Sequence, residues 1–556
     1  MEFSLFAPYN EFVALIGSWN QWQPIDMKKG DDGWWRVDVP LKDGEHQYKF
    51  QVKSKSYFAE GKILSVADPY STRVTRDSDE NSIIVIKDGK RVVTTYQWKH
   101  DQVPLPQNPQ LVIYEMHIGD FCGGPGDVKE GTPGTFEEAA AKLDYLSSLG
   151  VNAVELMPIT EYPGDQSWGY NPRILFGVEN NYGTPDDLCA FVDECHARGI
   201  RVILDKVLNH AEMESPLTKI DYTYWYHREN PDAPHLQWGP KYNFGFHDEK
   251  LNVWPARQYV RDSLLFWLEH FHVDGIRFDA TAVINNYEIL GWLHHEVFSF
   301  LGGIKPFITI AEHVPQDPTV AGSDGPLDAA WHETFSKQIM ATIVGREQDG
   351  RQPYNLDAII STLDPRHEGF ESPLNVINYI DNHDQNRIMW QLGQANIFDD
   401  AAFRRIKMGA SILLTAPGIP MIWMGQEFGE SDRKTIERQP IDWSLLQNHS
   451  NTDLRNTYAG LIHLRKTMPA LHGDSFEVIC ANPERSFFAY KRWNAEGNVV
   501  VVVVNLHDSY LGQVEIASWP EDGVWHEYTD DYDIEVQGGI LRDSLAESEV
   551  KIYFKK

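Results

Sequence analysis

Cysteine is scarce in this sequence. There are four in 556 residues (Cys122, Cys189, Cys195 and Cys480), and no two form a Cys-x-x-Cys pair. Structural zinc held by paired thiolates is therefore not expected, nor is a disulfide framework. Cys189 and Cys195 are six apart on an expected helix, a poor spacing for a bridge. Reduced core thiols are the expectation, and they favour the cytoplasm. Long apolar runs are missing too. The longest aliphatic stretch, Val499 to Val504, is far too short to span a bilayer and reads as a buried strand. Met1-Glu2-Phe3-Ser4 lacks a basic segment followed by an apolar one, so no secretion signal is expected. Positive charge is in deficit: 49 Lys and Arg against 81 Asp and Glu give a formal net charge of −32. Such a surface repels phosphate backbones, so nucleic acid is not an expected partner, whereas a neutral ligand hardly feels the charge.

Aromatic residues are plentiful, at 12%, with 18 Trp. A flat apolar ring suits the face of a sugar, and it equally suits a large core. Residues 1–100 look all-β, with strand-like stretches such as Phe12 to Ile16, Trp34 to Val39 and Tyr48 to Val52 set between Gly, Asp and Asn clusters. A small β-sandwich is expected there, followed by a stiff linker, Val103 to Pro109.

From about 101 to 465 the rhythm becomes strand, helix, strand, helix. Thr135 and Glu138 make a capping box, Leu143, Leu146 and Leu149 follow at helical spacing, and Gly150 stops the helix. The unit repeats with Thr184 as cap, Pro185 at the first helical position, and an apolar stripe of Leu188, Phe191, Val192 and Cys195. Such alternation means a parallel sheet with right-handed crossovers. Over this length it predicts a closed (β/α)₈ barrel rather than an open sheet. An irregular excursion at about 209–256, rich in Tyr, Trp, His, Pro and Asn, reads as an inserted subdomain. Residues 466–556 turn all-β again and predict a second β-sandwich.

Four expected barrel strands lead to an acid. These are Val202-Ile203-Leu204-Asp205, Ile276-Arg277-Phe278-Asp279, Ile308-Thr309-Ile310-Ala311-Glu312, and Val376 to Ile380 running into Asp381-Asn382-His383-Asp384. Barrel chemistry sits at the C-terminal ends of strands. A charge after an apolar strand is costly to bury unless paired, so four at equivalent places point to a shared site. Arg277 and Asp279, two apart, face the same side, and the guanidinium favours the ionised acid, as a nucleophile needs. Glu312 has no neighbouring base except His313, which a strand directs elsewhere, so it is expected to hold a proton and act as an acid. Two carboxyls in these roles, roughly 5 Å apart, define a retaining glycosidase.

These segments resemble glycoside hydrolase family 13, the α-amylase family, over about residues 110–465. The matching pieces, in the family's order, are Asp205-Lys206-Val207-Leu208-Asn209-His210, Gly275-Ile276-Arg277-Phe278-Asp279, Glu312 and Asn382-His383-Asp384, together with Met157-Pro158 and Ser167-Trp168-Gly169-Tyr170. The resemblance implies that Asp279 is the nucleophile and Glu312 the acid/base. It also implies that Asp384 holds hydroxyls of the distorted sugar, that His210 and His383 hydrogen-bond that sugar, and that Arg277 orients Asp279. Asp205 would fix the pocket floor, Tyr170 would stack under the ring, and Trp168 would bind substrate. Asn209 matches a calcium ligand of many amylases, although intracellular relatives often lack the ion, and neither metal nor cofactor is expected. Phe6-Ala7-Pro8 with Gly17-Ser18-Trp19-Asn20-Gln21-Trp22 resembles a family 48 carbohydrate-binding module. Trp19, Trp22, Trp34 and Trp35 would then stack on glucan or, as in many such domains, brace the barrel. The implied substrate is an α-glucan such as glycogen, amylose or maltooligosaccharides.

Three reactions compete. Hydrolysis of α-1,4 bonds leads, on Asp381-Asn382-His383-Asp384 and Pro417-Gly418-Ile419-Pro420, which look amylase-like. Branching, which forms α-1,6 bonds, follows closely on Thr309 to Val314 and Pro318-Thr319. Release of trehalose from maltooligosyl trehalose comes third. A non-catalytic binding protein is the reading from another class, and it is disfavoured because all three acids are present.

Overall fold

The computed structural model describes residues 1–77, 79–122, 133–345 and 355–555. Its centre is a closed barrel of eight parallel strands. They are β1 (Ile113–Met116), β2 (Ala153–Leu156), β3 (Arg201–Lys206), β4 (Gly275–Phe278), β5 (Ile308–Ala311), β6 (Ala329–Trp331), β7 (Val376–Asn378) and β8 (Ile419–Trp423). The expected (β/α)₈ architecture is what forms. Helix starts follow the residues that announce them: the Thr135 hydroxyl accepts from the Glu138 amide, and Thr184 does the same for Asp187. Gly150 ends the first crossover in the left-handed region (φ 101°).

Strand alternation divides the barrel interior into layers. The lower part is an apolar plug that includes Ile113, Ala153, Ile203, Ile308, Ile310, Trp331, Ile377 and Met421. Two residues further along β1 to β4 the inward positions are charged. Glu115 is registered beside Glu155, and Asp205 beside Arg277. Gly275 is required where β4 is squeezed between its neighbours, because a Cβ there would stand 2.8 Å from Ile308 and 2.9 Å from Ile203.

The N-terminal region forms a three-stranded and a six-stranded sheet. Most of its tryptophans act as braces. Trp35 is buried and donates its indole N–H to the Ala7 carbonyl at 3.0 Å. Trp34 packs on Phe6 and Tyr70, and Trp19 packs on Phe3 over Gly17. Trp22 is half-buried, at φ 61°. This region grips the insert: Tyr9 donates to Asp248 at 2.9 Å, Asn10 to the Ile220 carbonyl at 3.0 Å, and Phe6 lies against Tyr224 and Trp225.

The C-terminal region is a six-stranded sheet with a two-stranded companion. The valine run at 499–504 lies in the middle of the larger sheet and serves two cores. Val500, Val502 and Val504 join the cluster shared with the barrel, while Val501 and Val503 join a second one with Trp525 and Tyr553. Among the described residues no helix is long and apolar enough to cross a membrane.

Candidate active site

A cleft of about 530 Å³ opens at the C-terminal ends of the barrel strands. Trp168, Tyr170, His210, Asp279, Glu312, His383 and Asp384 all line it. Arg277 and Asp205 lie beneath, fully buried. The structure thus gathers the nine residues singled out in the sequence around one space, within the size range of ligand pockets.

Arg277 organises the floor. Its Nη1 donates to both Asp205 oxygens, at 2.8 and 2.7 Å, and to Asp279 Oδ1 at 3.0 Å, while Nη2 forms an ion pair with Glu312 Oε2 at 3.1 Å. One guanidinium therefore faces three carboxyls. Burial and the neighbouring charge of Glu312 push the Asp279 carboxyl well above the usual range, against the pull of Arg277. Burial also raises Asp205, again against Arg277. One positive charge thus faces three buried acids, and the cost falls on Asp279 and Asp205, whose carboxyls are both raised.

One expectation fails here. Glu312 is not poorly compensated: besides Arg277, the Ala280 amide donates to its Oε2 at 2.7 Å. That amide is aimed by the left-handed turn at Ala280 (φ 48°), directly after Asp279. The acid that the crowding raises is Asp279, a tertiary effect that strand alternation does not reveal.

Asp384 is held differently. Burial alone would raise its pKa, but the charges of His383 and Lys434 override this and hold it down to about 2. Lys434 donates to Asp384 Oδ1 at 3.0 Å and to its backbone carbonyl at 2.7 Å, and it stands 5.4 Å from the Trp168 ring centre. His383 Nδ1 lies 2.6 Å from Glu115 Oε1, and Nε2 lies 3.6 Å from Asp384 Oδ2. Burial would lower the imidazole, yet Asp384 and Glu115 push it up to about 9. Tyr170 stacks on His383 at 5.0 Å and donates to Asp205 at 2.6 Å, so one ring face is already covered. His210 donates from Nε2 to the Tyr170 carbonyl at 2.9 Å, and burial lowers its pKa to about 4, so it is neutral. With that nitrogen engaged, the expected contact of His210 with a sugar requires its other edge.

Sequence reading passed over Glu115, Glu155, Lys434 and Trp238. Glu115 and Glu155 carried a usable signal, an acid inside an apolar strand, in Ile113-Tyr114-Glu115-Met116 and Ala153-Val154-Glu155-Leu156. Burial and the proximity of Glu115 raise Glu155 well above the usual range, so Glu155 stays neutral. Lys434 and Trp238 sit on irregular segments, where no periodicity marks them.

A consequence can be measured. The folded pKa of His383, about 9, exceeds its ordinary 6.5. Its contribution to stability is therefore complete below about 6.5 and is lost as pH rises through about 9. Glu115→Gln is expected to move the alkaline limb of kcat/KM towards lower pH. It should also cut kcat by about 10- to 100-fold, the scale of a misplaced contact near the reacting atoms. A pH–rate profile of the variant checks both, and an unchanged alkaline limb would refute the link.

Comparison with known proteins places this geometry. Residues 76–469 match the model of the alpha amylase catalytic domain, and residues 1–71 match carbohydrate-binding module 48 (isoamylase N-terminal domain). The 1,4-alpha-glucan branching enzyme GlgB of Nitrosococcus oceani is 27% identical, over 90% of this chain and 69% of the relative. The enzyme of the same name from Geobacillus stearothermophilus is 29% identical, over 90% and 80%. A putative alpha amylase from Salmonella typhimurium superposes with a TM-score of 0.75 at 24% identity, covering 100% of this chain and 97% of that one. Pullulanase from Anoxybacillus sp. LM18-11, complexed with maltotetraose, gives 0.81 at 18%, covering 100% and 86%. At these identities the solved structures speak for the fold, and the domain match speaks for the family. With that match across the whole barrel and its cleft, the chain belongs to the alpha-amylase family of enzymes.

Proposed function

We propose that the chain cleaves α-1,4-glucans with retention of configuration, through a covalent glucosyl intermediate on Asp279. The observation that carries this is the single guanidinium of Arg277 held against both Asp279 and Glu312. The two acids meet that guanidinium at 3.0 Å and 3.1 Å. So close a pair supports the short carboxyl separation of retaining enzymes, because inverting ones leave room for a water between their acids.

Glu312 carries a proton to the glycosidic oxygen as Asp279 Oδ attacks the anomeric carbon; the bond to the leaving sugar breaks as the Asp279 ester forms. Glu312 then takes a proton from the acceptor, which displaces Asp279. Asp384, anionic and half-exposed at the cleft wall, accepts hydrogen bonds from sugar hydroxyls and stabilises positive charge on the ring. Trp168 and Trp238 offer apolar faces at the rim.

Water as acceptor gives hydrolysis, our leading reading, and the solvent-exposed carboxylate of Asp384 supports water access. A sugar 6-hydroxyl as acceptor gives branching. That second reading is favoured by the relatives, which are named 1,4-alpha-glucan branching enzymes. Of the sequence features that spoke for hydrolysis, His383 and Asp384 line the cleft and the rest lie in the scaffold. Asp381 is buried and accepts from the Ile388 amide, and Gly418 abuts Asn378 under β7. Trehalose release is the third reading. The four cysteines are unpaired, in keeping with a cytoplasmic location.

Amylose separates the readings. Hydrolysis is expected to raise reducing ends in step with bond cleavage and to produce no α-1,6 anomeric proton signal. Branching would show that signal with reducing ends nearly constant. Neither change, with active-site acids intact, would sink the assignment to α-1,4-glucans.

A further inference from the structure

Asn209 stands where many amylases hold a calcium ligand. Its Oδ1 is buried without a hydrogen-bond partner, the kind of atom a cation would use. The neighbourhood already contains a cation, however. Lys241 forms a β-bridge with His210, the residue after Asn209, and the Tyr242 amide donates to the Asn209 carbonyl at 3.1 Å. Lys241 is 9% exposed. Its Nζ donates to both oxygens of Asp232, at 2.7 and 2.9 Å, and to the Val283 carbonyl at 2.6 Å.

Val283 lies in the short helix Thr281–Ile284, four residues beyond Asp279. Asp232 and Lys241 belong to the insert, the segment that also brings His210 and Trp238 to the cleft. One ammonium thus fastens the insert to the turn that carries Asp279. Calcium takes six to eight oxygens. Here the Asp232 carboxylate and the Val283 carbonyl are spent on the ammonium. Among the described residues no cluster of three or more His, Cys, Asp or Glu could hold a metal ion. A calcium ion does not fit this site.

We propose that the Lys241 ammonium is a built-in cation, seated in a cation site, that holds the cleft together without a divalent ion. A tethered charge is present at a fixed local concentration and cannot be washed out. It also ties the chain between strands β3 and β4 to the short helix that follows Asp279. Lys241 touches no reacting atom in this arrangement; it is a positioning residue for Asp279.

The test uses the full chain, with melting temperature and kinetics on a linear maltooligosaccharide, in EDTA and in millimolar calcium chloride. The wild type is expected to keep its Tm and kcat/KM in both. Lys241→Met should lower Tm by about 5 °C or more and kcat/KM by about tenfold or more, chiefly through kcat. Calcium should not restore it, because the methionine fills the space. Lys241→Ala vacates that space and leaves the Asp232 carboxylate and the Val283 carbonyl open, so calcium should raise its Tm and recover part of kcat. The proposal is overturned if EDTA inactivates the wild type and calcium restores it, if Lys241→Met behaves as wild type, or if calcium leaves the Tm of Lys241→Ala unmoved. The wild-type measurements decide the matter even if a variant fails to accumulate.

Discussion

Asp279→Asn is expected to lower kcat on maltooligosaccharides by at least about 10⁴-fold, the scale seen when a covalent nucleophile is removed. The amide cannot displace the leaving sugar, and Asp205, which shares Arg277 Nη1 with Asp279, is buried and doubly engaged by that guanidinium. Folding should not suffer. Burial and Glu312 raise the Asp279 pKa above its unfolded value, so the ionised acid costs stability, and the cost grows as pH rises above the ordinary carboxylate range. The amide removes that cost. The inactive variant should therefore melt at or above the wild-type temperature at neutral pH, with the advantage shrinking as pH falls towards 4. Loss of activity with a lower melting temperature would instead point to a scaffold role. Catalytic activity unchanged would remove the proposed mechanism.

Glu312→Gln has the second largest expected effect, a fall in kcat of about 10²- to 10⁴-fold, the range for general acid catalysis. Its diagnostic lies in the substrate. α-Maltosyl fluoride leaves without protonation, so the first step should recover on it while natural glucans remain poorly cleaved. Adding azide, which needs no general base to attack, should then yield glycosyl azide of retained configuration and raise turnover further. A variant equally slow on both substrates would show that Glu312 shapes the site and does not deliver a proton. Asp384 gives no comparable rescue, since it stabilises charge on the sugar in either step.

These two acids play separable roles although they share one guanidinium. Arg277 favours an ionised Asp279; burial and the charge of Glu312 work against it and raise that carboxyl. Asp384, facing His383 and Lys434, is held at about 2 and is ionised at any pH where the protein works. Its folded pKa is depressed below the ordinary 3.8, so its stabilising contribution is present above that value and fades as pH falls through about 2. The site therefore holds one firmly ionised acid, Asp384, beside an Asp279 carboxyl that burial and Glu312 raise.

How much of this was visible beforehand follows from the range of each interaction. Capping boxes at Thr135 and Thr184, the apolar stripe at Leu188 to Cys195 and the strand runs are local, and they suffice for the alternating elements of a barrel. The acids after β4 and β5 were legible because an ionised group closing an apolar strand has no local compensation. The same rule applied to Glu115 and Glu155, but each lies one residue before the strand's end, where it reads as an interior fault and was passed over. The tryptophans of the first 35 residues left two readings open, stacking on glucan or bracing the barrel; Trp35, Trp34 and Trp19 are occupied by Ala7, Phe6, Tyr70 and Phe3, as bracing requires.

The sequence by itself determined the barrel, the family and the three acids, because hydrophobic period and strand-end charge are properties of a few consecutive residues. Tertiary structure alone decided which acid burial and its neighbours raise, which histidine is charged, and that Lys241 reaches from the insert to the short helix beyond Asp279. Those outcomes depend on distances between side chains up to 268 residues apart, as with Glu115 and His383. Electrostatic energy varies with that distance and with burial, and neither is written in the order of the residues.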